Sequence, residues 1–191
     1  KPDKQSAQSW IREILEKGTK EEVRALFVFS SEDSSDTVLF RFRLWARWFY
    51  PNFFHVTDAP FHSDVDKFNL AVYRGSQPVF VDIAFRGAAK TTRTKIFIAF
   101  CIANDRDRRH RYIKHNTEDY ANAKQNVTDV YNLLNRARLR AYYPEIFEKT
   151  IQKREETMAS FTTATGIKVR ADSVGTGQRG DIQDDARPSL L

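Results

Sequence analysis

Cysteine is almost absent. Cys101 stands alone among 191 residues, which excludes an intramolecular disulfide and any zinc site assembled from several cysteines. It lies in the apolar run Ile96–Ile102 and reads as a small buried core residue rather than a reactive thiol. Histidine is sparse as well. His55, His62, His110 and His115 show neither HxxxH nor HExxH spacing, so a catalytic metal centre built on histidine is not indicated. No run of 18 apolar residues exists, hence no membrane span, and no signal-peptide pattern opens the chain. The first residue is Lys1 rather than Met, so the amino end reads as trimmed. Of only seven glycines, Gly175, Gly177 and Gly180 fall close together, which marks a flexible or tightly turned loop.

What is present is the composition of a folded domain, with 41% hydrophobic and 29% charged residues. Lysine and arginine number 31 against 25 aspartates and glutamates, a net charge of +6, and the pI is near 9.5. That balance favours a polyanionic partner.

The first fifty residues read as helical. Trp10, Ile11, Ile14 and Leu15 recur at helical spacing, and Thr19 with Glu22 forms a capping-box pattern. After the polar break Ser30–Asp36 comes an aromatic-rich helix, Thr37–Tyr50, stopped by Pro51. Residues 51–78 form a connector with one helix, and Gly75–Pro78 is a turn. From Val79 the pattern changes. Val79–Phe85 is β-branched and aromatic, as a buried strand is; Thr92–Ala103 is an apolar helix; Asn104–His110 is a charged loop. Arg111–Lys114 is a second short strand. Thr117–Arg140 is a long helix with Ala123, Val127, Val130, Leu133 and Leu134 on one face. Residues 141–160 are amphipathic and partly helical. Phe161–Ala171 is a hairpin about Thr165-Gly166, and Pro188–Leu191 starts another apolar strand. Alternating strands and helices predict an α/β fold with a mainly parallel sheet flanked by helices. The division is a helical amino-terminal extension, 1–55, followed by a partial P-loop NTPase domain, 56–191.

The chemistry concentrates at Ala84-Phe85-Arg86-Gly87-Ala88-Ala89-Lys90-Thr91-Thr92. A Walker A loop has Gly, four residues, Gly, Lys, then Ser or Thr. Here alanine stands at both glycine positions, 84 and 89, and Gly87 lies inside the loop. The segment follows a strand and opens a helix, the placement a phosphate loop requires. A helix start offers unpaired N–H groups and partial positive charge to phosphate. In this reading the small residues Gly87, Ala88 and Ala89 let the backbone approach, and Lys90 reaches the β/γ-phosphates. Thr91 offers its hydroxyl to Mg²⁺, Thr92 counts with the loop among the nucleotide-binding residues, and Arg86 contacts the γ-phosphate and steadies charge in the transition state. If position 84 or 89 has positive φ, alanine there costs about 1 kcal/mol or more.

These residues resemble the large terminase subunit of tailed bacteriophages, the motor that packages viral DNA. The resemblance rests on Trp48-Phe49-Tyr50-Pro51-Asn52-Phe53-Phe54, Phe61-His62, the loop with its mid-loop Arg86, Tyr112–Ala123, and Gly175-Thr176-Gly177-Gln178-Arg179-Gly180-Asp181 with Arg187-Pro188. It covers about residues 40–191. It implies ATP and Mg²⁺ as cofactors, Arg86 and Lys90 as catalytic residues, and Phe61 and His62 on the adenine side. Arg179, in the glycine-rich loop, is a candidate either to sense nucleotide or to couple to DNA. It also implies double-stranded DNA, a small terminase subunit, a portal protein and a homo-oligomeric ring as partners, no membrane, and the host cytoplasm as location. The Walker B aspartate and catalytic glutamate are expected after a strand beginning near Leu190, and a nuclease domain after them. Neither lies within these residues, so this piece is expected to be hydrolytically inactive. Asp181, Asp184 and Asp185 read as a solvated loop. Two other readings remain: another P-loop NTPase such as a helicase, or a non-enzymatic nucleic-acid-binding domain. The basic runs Arg106–Arg111 and Arg136–Arg140 read first as solvated surface.

Overall fold

The computed structural model of the chain describes residues 4–54, 58–75, 89–147, 159–173 and 189–190. Helices α1 (Lys4–Lys17), α2 (Lys20–Ala25) and α3 (Ser35–Phe49) come first, followed by a 3₁₀ turn at Pro51–Phe53 and α4 (Pro60–Tyr73). Then come α5 (Lys90–Asn104), β1 (Tyr112–Thr117), α6 (Tyr120–Leu134), α7 (Ala137–Tyr142) and a 3₁₀ turn at Pro144–Ile146. The strands β2 (Ser160–Thr162), β3 (Lys168–Ser173) and β4 (Ser189–Leu190) complete the order. The expected strand Val79–Phe85 and the glycine-rich segment around Arg179 lie outside the described residues.

Local chemistry explains the helix starts. The backbone N–H of Thr19 donates to Glu22 Oε2 at 2.8 Å, and that of Glu22 donates to Thr19 Oγ1 at 3.3 Å, closing the capping box ahead of α2. Ser34 Oγ caps α3 by accepting from Thr37 N–H at 3.2 Å. Asp119 Oδ1 caps α6 by accepting from Ala121 N–H at 2.9 Å. Helix α5 differs, because from Ile96 to Ile102 it is buried on every side. A helix that is apolar all round belongs in the middle of a core.

That core is largely aromatic. Phe42 on α3 meets Phe97 of α5 edge to face, with ring centroids 5.2 Å apart, and Trp45 meets Phe100 in the same way at 5.5 Å. Each such side chain, once buried, contributes about 1.5–3 kcal/mol. Two buried tyrosines satisfy their hydroxyls: Tyr50 Oη donates to Leu133 O at 2.9 Å, and Tyr143 Oη to Asn104 Oδ1 at 2.7 Å. Cys101 is buried among these groups, and burial pushes its thiol pKa up. The amino-terminal helices thus share one hydrophobic cluster with α5, α6 and the sheet.

The sheet is mixed, in the order β2-β3-β1-β4. β1 pairs in parallel with β3 (Ile113 opposite Val169, His115 opposite Ala171) and with β4 (Lys114 opposite Leu190), whereas β2 and β3 are antiparallel. The expected hairpin is present, but five residues, 163–167, separate its strands where a two-residue turn is expected. Gly166 closes a turn by donating to Thr163 O at 2.9 Å, and its φ of 86° is the left-handed value that glycine takes freely. The anticipated helix Thr117–Arg140 is broken at Asn135-Arg136 into α6 and α7. Leu134 and Leu139 are both buried, and a five-residue step would place them about 140° apart on a continuous helix. The break re-aims Leu139 into the core. Among the described residues no helix is long and apolar enough to cross a membrane.

Candidate functional site: the start of helix α5

The backbone immediately before α5 is unusual. Ala89 is its N-cap, with φ 55° and ψ 15°, the left-handed conformation. An L-residue with a Cβ adopts this at a cost of about 1–2 kcal/mol, so the surrounding chain must enforce it. Ala89 occupies the position where the Walker pattern has its second glycine. An alanine at this position implies either negative φ or a loop that differs from the common one; Ala89 has positive φ. The same turn closes the first helical bond, from Arg93 N–H to Ala89 O at 2.9 Å.

Ala89 offers no side-chain cap, and the first turn of α5 contains no acidic residue. A helix start of this kind offers N–H groups to an anion, and its own first turn brings no carboxylate to the place. Lys90 is half-buried, Thr91 exposed and Thr92 half-buried. These features fit a phosphate. For a divalent cation the described residues supply the Thr91 hydroxyl, while no group of three or more His, Cys, Asp or Glu side chains among them is arranged to hold a metal. Arg86, Gly87, Ala88 and Arg179 lie outside the described residues.

One turn into α5, Arg93 fixes the helix in place. Its guanidinium forks onto Asp66 of α4, Nε to Oδ1 at 2.9 Å and Nη2 to Oδ2 at 2.7 Å, while Nη1 donates to Asp58 Oδ1 at 2.7 Å. Asp66 is fully buried and also accepts from Arg43 Nε of α3 at 3.1 Å. Burial opposes the charge on Arg93, but hydrogen bonds and charge from Asp66 and Asp58 outweigh it and hold the guanidinium pKa above its ordinary value. Phe54 lies beneath the same guanidinium, 5.2 Å away.

This clamp brings two separately predicted pieces together. Phe61 and His62 stand in the first turn of α4, and Asp58 just before them binds Arg93. His62 Nδ1 accepts the Ala59 N–H at 3.1 Å and lies 3.5 Å from Asp58 Oδ1. Sequence reasoning missed Arg93, Asp58 and Asp66. A basic residue at the third position after Lys90, one turn before the apolar run Ile96–Ile102, was the available signal.

A second polar network joins α5 to the carboxyl end of β1. Lys95 Nζ donates to Asp129 Oδ2 at 2.6 Å and to Asn126 Oδ1 at 3.3 Å, and Asn126 Nδ2 lies 2.8 Å from His115 Nε2. The carboxyl ends of parallel strands are where α/β sheets bind ligands. Burial, with Lys95 adding to it, lowers the His115 pKa to about 4. On the opposite face of the sheet the fully buried Lys114 pairs with Asp172 of β3 at 3.1 Å.

No protein-family model matches the chain, and no curated protein and no solved structure matches it significantly.

Two outcomes are expected. Ala89→Gly relieves left-handed strain but frees the unfolded chain, and the balance raises stability by about 0.5 kcal/mol. Ala89→Val, a β-branched residue at the same φ, lowers it by about 1 kcal/mol or more. Urea denaturation measures both, and the reverse ranking would show that Ala89 is not left-handed. For His115, the unfolded chain takes up a proton near its ordinary pKa of 6.5 and the folded chain only near 4. The stabilising contribution is thus complete above pH 6.5 and lost as pH falls from there to about 4. His115→Gln flattens the stability profile in that window, and an unchanged slope would contradict the assignment.

Proposed function

We propose that the chain is the nucleotide-binding part of a DNA-translocating ATPase of the large terminase kind, with the phosphates of ATP at the start of α5. One observation carries this reading: a left-handed Ala89 directly ahead of Lys90-Thr91-Thr92, at an uncapped helix start without acidic residues. That is the local geometry the Walker pattern uses glycine to reach. The parallel pairing of β4 with β1 supports it further, since the resemblance places the Walker B strand there.

Each residue then has a role. Bound ATP supplies the phosphoanhydride to be cleaved, and Mg²⁺ neutralises its charge. Lys90 would set a point charge beside the β/γ-phosphates, and the Thr91 hydroxyl would be available as a ligand to the metal. First-turn N–H groups from Lys90 to Thr92 bind phosphate oxygens. Arg86 steadies charge on the transferring group. Phe61 and His62, linked to α5 through Asp58 and Arg93, stand on the adenine side. Double-stranded DNA is the translocated partner, and the small terminase subunit, portal protein and ring of like subunits belong to the same proposal, as does the host cytoplasm.

Isothermal titration of the chain with ATPγS and Mg²⁺ tests the reading. One site is expected, weakened about ten- to a hundred-fold by Lys90→Ala, which removes a charge-assisted contact of about 1.5–3 kcal/mol. No binding, or binding indifferent to Lys90→Ala, would favour the non-enzymatic nucleic-acid-binding alternative.

A further inference from the structure

We infer that the exposed arginines of the α6–α7 junction, Arg136, Arg138 and Arg140, form the surface on which the phosphate backbone of DNA rests. Each guanidinium lies over an aromatic ring supplied by another part of the chain. Arg136 is 5.0 Å from the Tyr50 ring centroid and 5.3 Å from that of Phe53. Arg138 is 4.0 Å from Trp48, and Arg140 is 5.0 Å from Phe147. Arg140 is further oriented by Asn135 Oδ1, to which Nη1 donates at 2.7 Å. All three remain exposed.

Stacking of this kind holds a long cationic side chain in place before a ligand arrives, so less rotamer freedom is lost on binding. A guanidinium so held still presents N–H donors at its edge, in the plane that matches phosphate oxygens. Along this stretch of chain the charge is of one sign. From Tyr131 to Pro144 there are three arginines and no acidic residue. Neighbouring carboxylates are already engaged: Asp129 with Lys95 at 2.6 Å, and Glu145 with Arg24.

The other basic run compares poorly. Between Asp105 and Arg111 four arginines alternate with Asp105 and Asp107, and Arg109 spends a donor on Arg74 O at 3.0 Å. Backbone contact, rather than base stacking, is the mode the first surface suits, because its rings are occupied by arginine on one face. Phosphate contact is independent of sequence and strongly dependent on salt. This inference takes the DNA partner of the proposed function as its premise and assigns that partner a surface.

Fluorescence anisotropy with a labelled short duplex, titrated at several salt concentrations, is the test. The triple variant R136Q/R138Q/R140Q is expected to bind more than tenfold more weakly and to reduce the slope of log K against log salt by about 3, near one per phosphate contact. R136K/R138K/R140K, which keeps the charges, retains most of that slope, and R106Q/R108Q binds within twofold of the parent chain. Circular dichroism confirms that each variant is folded. A folded triple glutamine variant that binds like the parent overturns the surface assignment and leaves the DNA partner standing. An equal loss in the lysine variant, or a larger one in R106Q/R108Q, also overturns the assignment. A parent chain that binds no duplex overturns both the DNA partner and this surface, while leaving nucleotide binding at Lys90 untouched.

Discussion

The buried carboxylate of Asp66 organises the described part of this protein. It has no access to solvent and is held between Arg93 of α5 and Arg43 of α3. Removing one partner from a buried ion pair of this type costs about 3–5 kcal/mol, because the remaining charge is left uncompensated. The cluster therefore fixes where α5 begins relative to α3 and α4. Arg93 sits one turn beyond Ala89, and its backbone N–H makes the first helical bond to the Ala89 carbonyl. The strained turn and the ion cluster are thus adjacent, and the second is well placed to hold the first.

Much of this was legible in the sequence wherever a local rule decided the outcome. Thr19 and Glu22 form the capping box that their spacing announces, and the five apolar positions of α6 are its buried residues. The strands around Ile113, Val169 and Leu190 follow from short β-branched or apolar runs next to turn residues. What was not legible depended on distant partners. Neither Asp58 nor Asp66 stands out in its own segment, and both acquire meaning only when α5 brings Arg93 against α4. The break between α6 and α7 has the same origin, since the core takes Leu139 at the expense of helical continuity.

The phosphate-loop pattern also looks different once Ala89 is placed. Two missing glycines weakened the match as a string, yet the backbone at one of them adopts the left-handed turn without glycine's help. Propensity is overridden here by context. Helix α5 joins this turn to two further elements, α4 through Arg93 and β1 through Lys95, Asn126 and His115. Its start therefore rests on a rigid, buried scaffold, which is what a charge-positioning site requires. The stacked arginines lie on another surface, anchored to Trp48 in the last turn of α3 and to Phe53 just beyond it.

The central claim is that the first turn of α5 binds phosphate through its backbone. Amide hydrogen exchange at Lys90, Thr91 and Thr92, with and without Mg²⁺ and ATPγS, tests it most directly. The account predicts slower exchange at these amides on nucleotide addition, with little change at the amides of α7. Unchanged exchange at the start of α5, with protection appearing elsewhere, would contradict it.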